Sequence, residues 1–179
     1  MPSRPPIASP LVLVGFMGCG KTTVGRLLAQ HLGWHFCDLD DRIEAAAGVP
    51  IPTIFAQRGE PAFREIERRE LLQALGAAAG RPTVLAVGGG TVAQPYNWDD
   101  IRASGGASVY LDVPLDELLE RCAGISNRPL FRDAASFGAL FAQRREFYRQ
   151  AELTIPASGT SPADVASRVL QSLGAATTR

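Results

Sequence analysis

The stretch Gly15-Phe-Met-Gly-Cys-Gly-Lys21-Thr22 matches G-x-x-x-x-G-K-S/T in full. Its chemistry is phosphate binding. The glycines let successive backbone N–H groups turn inward around an anion, and a helix starting there aims its positive end at the same point. In this pattern Gly18, Cys19 and Gly20 line the cradle, Lys21 reaches the β- and γ-phosphates, and the Thr22 hydroxyl, with Thr23 beside it, faces Mg²⁺. Strand-to-helix turns often use glycine, but no turn requires the Lys-Thr that follows. The rest of the chain sharpens the point: of 18 basic residues, 17 are arginine, and Lys21 is the sole lysine. It stands where a compact ammonium on a thin stem serves and a planar guanidinium does not. Cys19 reads as a small residue that fits the loop.

Carboxylates and arginines supply the rest of the chemistry. Asp38 and Asp40 alternate at the predicted end of a strand, which would set both on one face; Asp41 reads as the cap of the following helix. Two carboxylates beside a phosphate loop can divide the work, one holding Mg²⁺ and the other orienting or deprotonating an attacking hydroxyl. The apolar run Thr83–Val87 ends in Gly88 rather than in an aspartate, so Asp38 is the better magnesium ligand. Arg64 and Glu67 share a helix face and can pair, with Phe55 and Phe63 suggesting an apolar wall. Gly88-Gly-Gly90 offers bare backbone for a ligand pressed against the main chain. Arg121, Arg128 and Arg132 flank or lie within a polar loop, and Arg144 and Arg145 follow on the next helix. Kinases of small molecules close such a loop to exclude water, with arginines meeting the moving phosphate.

These residues need elements to hold them. Short β-type runs are expected at Leu11–Val14, His35 onward into the acidic residues, Thr83–Val87, Ser108–Leu111 and Leu153–Ile155. Helical spacing is expected over Lys21–Leu32, Asp41–Ala47, Ile51–Arg58, Glu60–Ala79, Tyr96–Ala103, Pro114–Cys122, Ala134–Gln150 and Pro162–Leu173. Strands alternating with helices predict an α/β fold with a parallel sheet covered on both faces. The 179 residues suit one domain over 11–173, with a lid at about 123–134, a Pro-rich tail over 1–10 and a short tail over 174–179.

Composition excludes other classes. Hydrophobic residues are 46% and charged residues 20%, as in globular proteins, and the net charge is zero, which argues against a general nucleic-acid or membrane-surface binder. No apolar run reaches the ~20 residues that span a bilayer. The start of the chain has no apolar signal region. Three scattered cysteines and two histidines make no zinc pattern and suit a reducing compartment. The expectation is a cytoplasmic protein, monomeric by default.

Taken in order, Gly15–Thr23, Phe36-Cys-Asp-Leu-Asp40, Ile54-Phe55 with Gly59-Glu60, Phe63-Arg-Glu-Ile-Glu67, Gly88-Gly-Gly90 and Asn127-Arg-Pro-Leu130 resemble the shikimate kinases, a branch of the nucleoside monophosphate kinase-like P-loop enzymes. The resemblance runs from about Leu11 to Leu173. It implies a three-layer αβα fold with five parallel strands in the order 2-3-1-4-5 and a mobile lid. It also implies transfer of the ATP γ-phosphate to the 3-hydroxyl of shikimate. On that resemblance Asp40 holds the hydroxyl, and Phe55 and Phe63 line the pocket. Arg64 and, by position, Arg144 grip the carboxylate, with Arg145 the adjacent alternative. Gly88, Gly89 and Gly90 meet the ring hydroxyls, Arg128 meets the transferring phosphate, Arg121 lies over the adenine, and Asp38 with Thr22 organises Mg²⁺. A kinase for another hydroxy acid, such as gluconate, is the runner-up. A catalytically dead ATP-binding module ranks lower, because lysine, aspartates and lid arginine are all present.

Overall fold

A computed structural model describes residues 7–123 and 133–176. Among these residues five strands form one parallel sheet: β1 (Leu11–Val14), β2 (His35–Asp38), β3 (Thr83–Ala86), β4 (Ala107–Asp112) and β5 (Leu153–Pro156), in the order β2-β3-β1-β4-β5. Central β1 pairs Leu13 with Ala86 of β3 on one side and with Val109 of β4 on the other. Its four residues are all fully buried. That is why the run is uniformly apolar rather than alternating: helices cover both faces of a parallel sheet. The order reverses beside β1, since the chain passes from β1 outward to β2 and later crosses back to β4. Ligand sites lie beyond the carboxyl ends of strands at such a switch.

The helices are α1 (Lys21–Leu32), α2 (Leu39–Ala47), α3 (Ile51–Ala78), α4 (Asn97–Ala103), α5 (Leu115–Cys122), α6 (Ala134–Tyr148) and α7 (Pro162–Ala176). Helix α1 presses closely on the sheet through Gly25, where a Cβ would lie 2.6 Å from the Phe36 ring and 3.2 Å from Leu13. Helix α3 is interrupted at Gly59, with φ 76° and ψ 175°, so it is two helices meeting at a kink, and the sequence predicts the two. Gly59 supplies the left-handed conformation, and Pro61 then falls in a first turn, where its missing N–H has no partner to lose. The break sets Phe55 and Phe63 against each other, ring centroids 4.6 Å apart. At the start of the described chain, the Ser9 hydroxyl donates to Ala78 O and accepts from Thr83 N, tying this segment to the end of α3 and the start of β3.

One expectation is corrected. Strand β2 stops at Asp38, and Leu39 is already helical, so Asp38 and Asp40 do not share a strand face. Asp38, extended at φ −101° and ψ 125°, is itself the N-cap: its Oδ1 accepts from Asp40 N at 3.0 Å. Asp41, predicted as the cap, lies inside the first turn. The physical reason is local. A carboxylate two residues ahead of an orphan first-turn N–H satisfies it, which favours the earlier start. A 3₁₀ turn over Thr91–Ala93, which apolar periodicity did not reveal, follows the triple glycine.

Candidate active site

The phosphate loop lies between β1 and α1. Gly20 is the N-cap of α1 in the left-handed conformation at φ 96°, which leaves the first-turn amides facing out of the helix end. The Lys21 ammonium folds over the loop, donating to Gly15 O at 2.8 Å and Phe16 O at 3.0 Å, with Cys19 Sγ at 3.6 Å. Cys19 is buried, its sulfur 2.7 Å from where a Gly15 Cβ would sit, so it fills the inside of the loop rather than lining the cleft. Thr22 Oγ1 donates to Asp38 Oδ2 at 2.8 Å. The two oxygens of Asp38 therefore split: one caps α2, and the other meets the hydroxyl of the phosphate loop.

A cleft of about 220 Å³ opens here, lined by Gly18, Gly20, Lys21, Thr22, Thr23, Asp38, Asp40, Gly88 and Gly89 among others. The phosphate loop and the triple glycine abut, since a Cβ on Gly89 would lie 3.5 Å from Met17 N. Asp40 Oδ1 lies 3.2 Å from the corresponding point on Gly88. The carboxylate thus stands between the phosphate loop and the bare backbone after β3.

Beyond Gly88 the character changes. Two guanidinium groups from distant helices converge on Gly90: a Cβ there would be 2.8 Å from Arg64 Nη2 and 2.9 Å from Arg144 Nη2. A Cβ at this position would push one of these guanidinium ends aside. Arg64 is aimed by carboxylates on its own helix. Its Nη1 donates to Glu67 Oε2 at 2.7 Å, and its Nε and Nη2 donate to Glu60 Oε1 at 3.2 and 3.1 Å. The two bonds differ in setting, for the Glu67 side chain is 2% exposed and that of Glu60 is 56% exposed. Glu67 Oε1 also accepts from Thr91 Oγ1 at 2.7 Å. The buried carboxylate is therefore held at both oxygens, which its burial demands. Arg64 also lies over the Phe63 ring, 5.0 Å from its centroid.

Arg144 and Arg145 part company. Arg144 is buried, and burial, followed by the nearby Arg64 charge, pushes its pKa below the usual guanidinium value. Arg145 turns away to Asp112, 3.4 Å from Oδ2. Four residues on from Arg144, buried Tyr148 donates its hydroxyl to Gly89 O and so pins the glycine segment. Burial pushes the Tyr148 pKa well above the usual phenol value, so the hydroxyl stays protonated and remains a donor. On the far side of the phosphate loop, Arg121 Nη1 donates to Gly18 O at 3.2 Å and pairs with Glu117.

The structure therefore brings together Gly18, Lys21, Thr22, Thr23, Asp38, Asp40, Gly88 and Gly89 around one cleft, with Gly90, Arg64, Arg144, Phe55 and Phe63 adjoining and Arg121 at its edge. Arg128 and Arg132 lie outside the described residues. Thr91 and Tyr148 were missed from the sequence. Each carried a signal: Thr91 is the first side chain after the bare backbone, and Tyr148 is one helical turn beyond Arg144.

Comparison with known proteins adds independent findings. The shikimate kinase family model matches residues 17–174. A shikimate kinase of Synechococcus elongatus is 44% identical over 165 residues, covering 90% of this chain and 84% of the relative. One of Persephonella marina is 38% identical over 161 residues, covering 89% and 96%. Among solved structures, the shikimate kinase of Acinetobacter baumannii in complex with shikimate superposes with a TM-score of 0.88 at 36% identity, covering 94% of each chain.

Proposed function

This chain belongs to the shikimate kinase family, and on that premise we propose how its cleft moves the γ-phosphoryl group of ATP onto the 3-hydroxyl of shikimate, giving shikimate 3-phosphate and ADP. The observation that carries the reading is the convergence of Arg64 and Arg144 on Gly90, next to Asp40 and the phosphate loop. A carboxylated, hydroxylated ring fits such an arrangement. Its carboxylate takes guanidinium donors in a paired geometry. Its ring hydroxyls meet the backbone of Gly88, Gly89 and Gly90, and Phe55 and Phe63 supply an apolar side.

Arg64 is prepared for this. Its bond to buried Glu67 fixes the plane of the guanidinium, while the bonds to half-exposed Glu60 are open to exchange for a substrate carboxylate. The reacting hydroxyl then lies at Asp40. Its oxygen attacks the γ-phosphorus, the bond from that phosphorus to the β,γ-bridging oxygen breaks, and the hydroxyl proton passes to the Asp40 carboxylate as ADP leaves. Lys21 leaves the loop carbonyls for the β- and γ-phosphates, exchanging one set of oxygen acceptors for another. A largely dissociative transfer needs alignment and charge neutralisation more than a strong base, which suits an aspartate in this role. The family resemblance assigns Arg128 to the transferring phosphate.

Thr22 Oγ1 and Asp38 Oδ2 are hard oxygen donors, 2.8 Å apart at the phosphate loop. Mg²⁺ is held by just such a set, one or two protein oxygens with substrate phosphates completing the shell. Among the described residues no cluster of three or more His, Cys, Asp or Glu could hold a metal ion. When bound, Mg²⁺ would neutralise phosphate charge. We further propose one domain over 11–173 with a lid at about 123–134, acting as a monomer in the cytoplasm. The net charge of zero supports the absence of a nucleic-acid partner, and no helix among the described residues is long and apolar enough to cross a membrane.

The test is ADP release measured over a panel of hydroxy acids. Shikimate is expected to give turnover far above the acid-free background. Turnover with gluconate and none with shikimate would contradict the reading.

A further inference from the structure

We infer that Glu117 is a positioning residue for the nucleotide base: it holds Arg121 and the Ser158–Gly159 backbone at a fixed separation, so that they form two walls of one slot at the edge of the phosphate loop. The inference rests on the assignment of Arg121 to the base. Glu117 lies in the first turn of α5, one turn before Arg121 on the same face. A carboxylate and an arginine at this spacing on an exposed helix ordinarily form a surface pair of little consequence. Here the carboxylate does more. It pairs with Arg121 Nη2 and also accepts from Gly159 N, 3.4 Å from Oε1 and 3.3 Å from Oε2, in a loop 42 residues away in sequence. The Ser158 hydroxyl beside it is the main cause holding its carboxyl below the usual range, so it stays ionised.

The partners on either side are committed as well. Arg121 Nη1 donates to Gly18 O at 3.2 Å, inside the phosphate loop. Gly159 stands at φ 57°, a turn closed in part by Thr160 Oγ1 donating to Ser158 O at 2.8 Å. One carboxylate therefore links the loop after β5, the end of α5 and, through Arg121, the phosphate cradle. The Glu117 side chain is 22% exposed and that of Arg121 is 34% exposed. Both retain access to a ligand lying over the loop. The device acts where the base lies and not where the phosphates lie, since the phosphate donors are Lys21 and the loop amides.

The experiment separates base from phosphate. Binding of ADP and of inorganic tripolyphosphate is measured by calorimetry on the full chain, alongside KM for ATP and for the acid. Glu117→Ala is expected to weaken ADP about tenfold, the scale of lost charge-assisted hydrogen bonds. Tripolyphosphate affinity and KM for the acid should stay within about twofold. Glu117→Gln keeps the shape and one acceptor; it should weaken ADP by about threefold and keeps the test open should the alanine variant fold poorly. Equal losses for ADP and tripolyphosphate, or no loss for either, would overturn the inference. Absence of acid-dependent turnover in the unaltered protein would instead strike the proposed reaction and leave the two binding measurements readable.

Discussion

The two halves of the cleft, proposed to take phosphate and acid, are built by different means. The phosphate half is a single run, Gly15 to Thr23, whose donors are backbone amides and one ammonium. The acid half draws Asp40 from α2, Arg64 and Glu67 from α3, the glycines after β3, and Arg144 and Tyr148 from α6. Backbone donors need only a correct local conformation. Side-chain donors from remote helices need partners that fix their direction, and those partners must be buried to be rigid. Hence the acid half carries Glu67, at 2% exposed, held by Arg64 on one oxygen and Thr91 on the other. The phosphate half spends few such groups: Asp38 serves both as helix cap and as the partner of Thr22.

This contrast can be broken from either side. Lys21→Ala should produce the largest effect, a loss of turnover of about a thousandfold or more, because an aligned charge on the transferring group is removed. Circular dichroism should show the fold intact, since among the described residues the lysine hydrogen-bonds to loop carbonyls and Cys19. Asp40→Asn follows, with kcat expected to fall by about 10²–10⁴-fold and KM for either substrate changing far less. Single-turnover kinetics would read this directly, and a near-normal rate would remove Asp40 from the chemistry.

Arg64→Ala should act on one substrate and on stability together. It should weaken binding of the acid by about 2–4 kcal/mol with ATP affinity little altered. It also strips buried Glu67 of a partner, so the unfolding free energy should drop by about 3 kcal/mol. Equal losses of both affinities, measured by calorimetry, would mean that the two halves are not separate. Thr91→Val is a finer probe. It leaves Glu67 with one donor fewer at a cost of about 1–2 kcal/mol, read mainly as a higher KM for the acid. The smallest effect belongs to Arg145→Ala. This side chain faces Asp112 at 37% exposure, so KM for the acid should remain within about twofold, given the small worth of an exposed ion pair. Arg144→Ala should raise it at least tenfold. The reverse order would exchange the two assignments.

How much of this was legible in the sequence follows the same division. Strands β1 and β3 to β5 and most helices are visible because buried parallel strands and amphipathic helices write different apolar periods. The phosphate loop is visible because its residues are contiguous. The break at Gly59 is visible because glycine before Glu-Pro marks a new helix start. What periodicity could not reveal is where a carboxylate would cap a helix, and so the boundary between β2 and α2 fell two residues early. It also could not show that Arg144 points inward and its neighbour outward, since adjacent residues on a helix diverge by about 100° and the apolar pattern around them is shallow. The convergence on Gly90 depends on three segments meeting in space, which no spacing within one segment encodes.

Phosphoryl transfer requires the two halves to hold ATP and a carboxylated alcohol at once. The direct measurement is identification of the product by phosphorus NMR after incubation with ATP, Mg²⁺ and shikimate. A phosphate monoester on the 3-oxygen, formed one for one with ADP, is the predicted result. ADP formed at the same rate with and without shikimate, with no new monoester resonance, would contradict it.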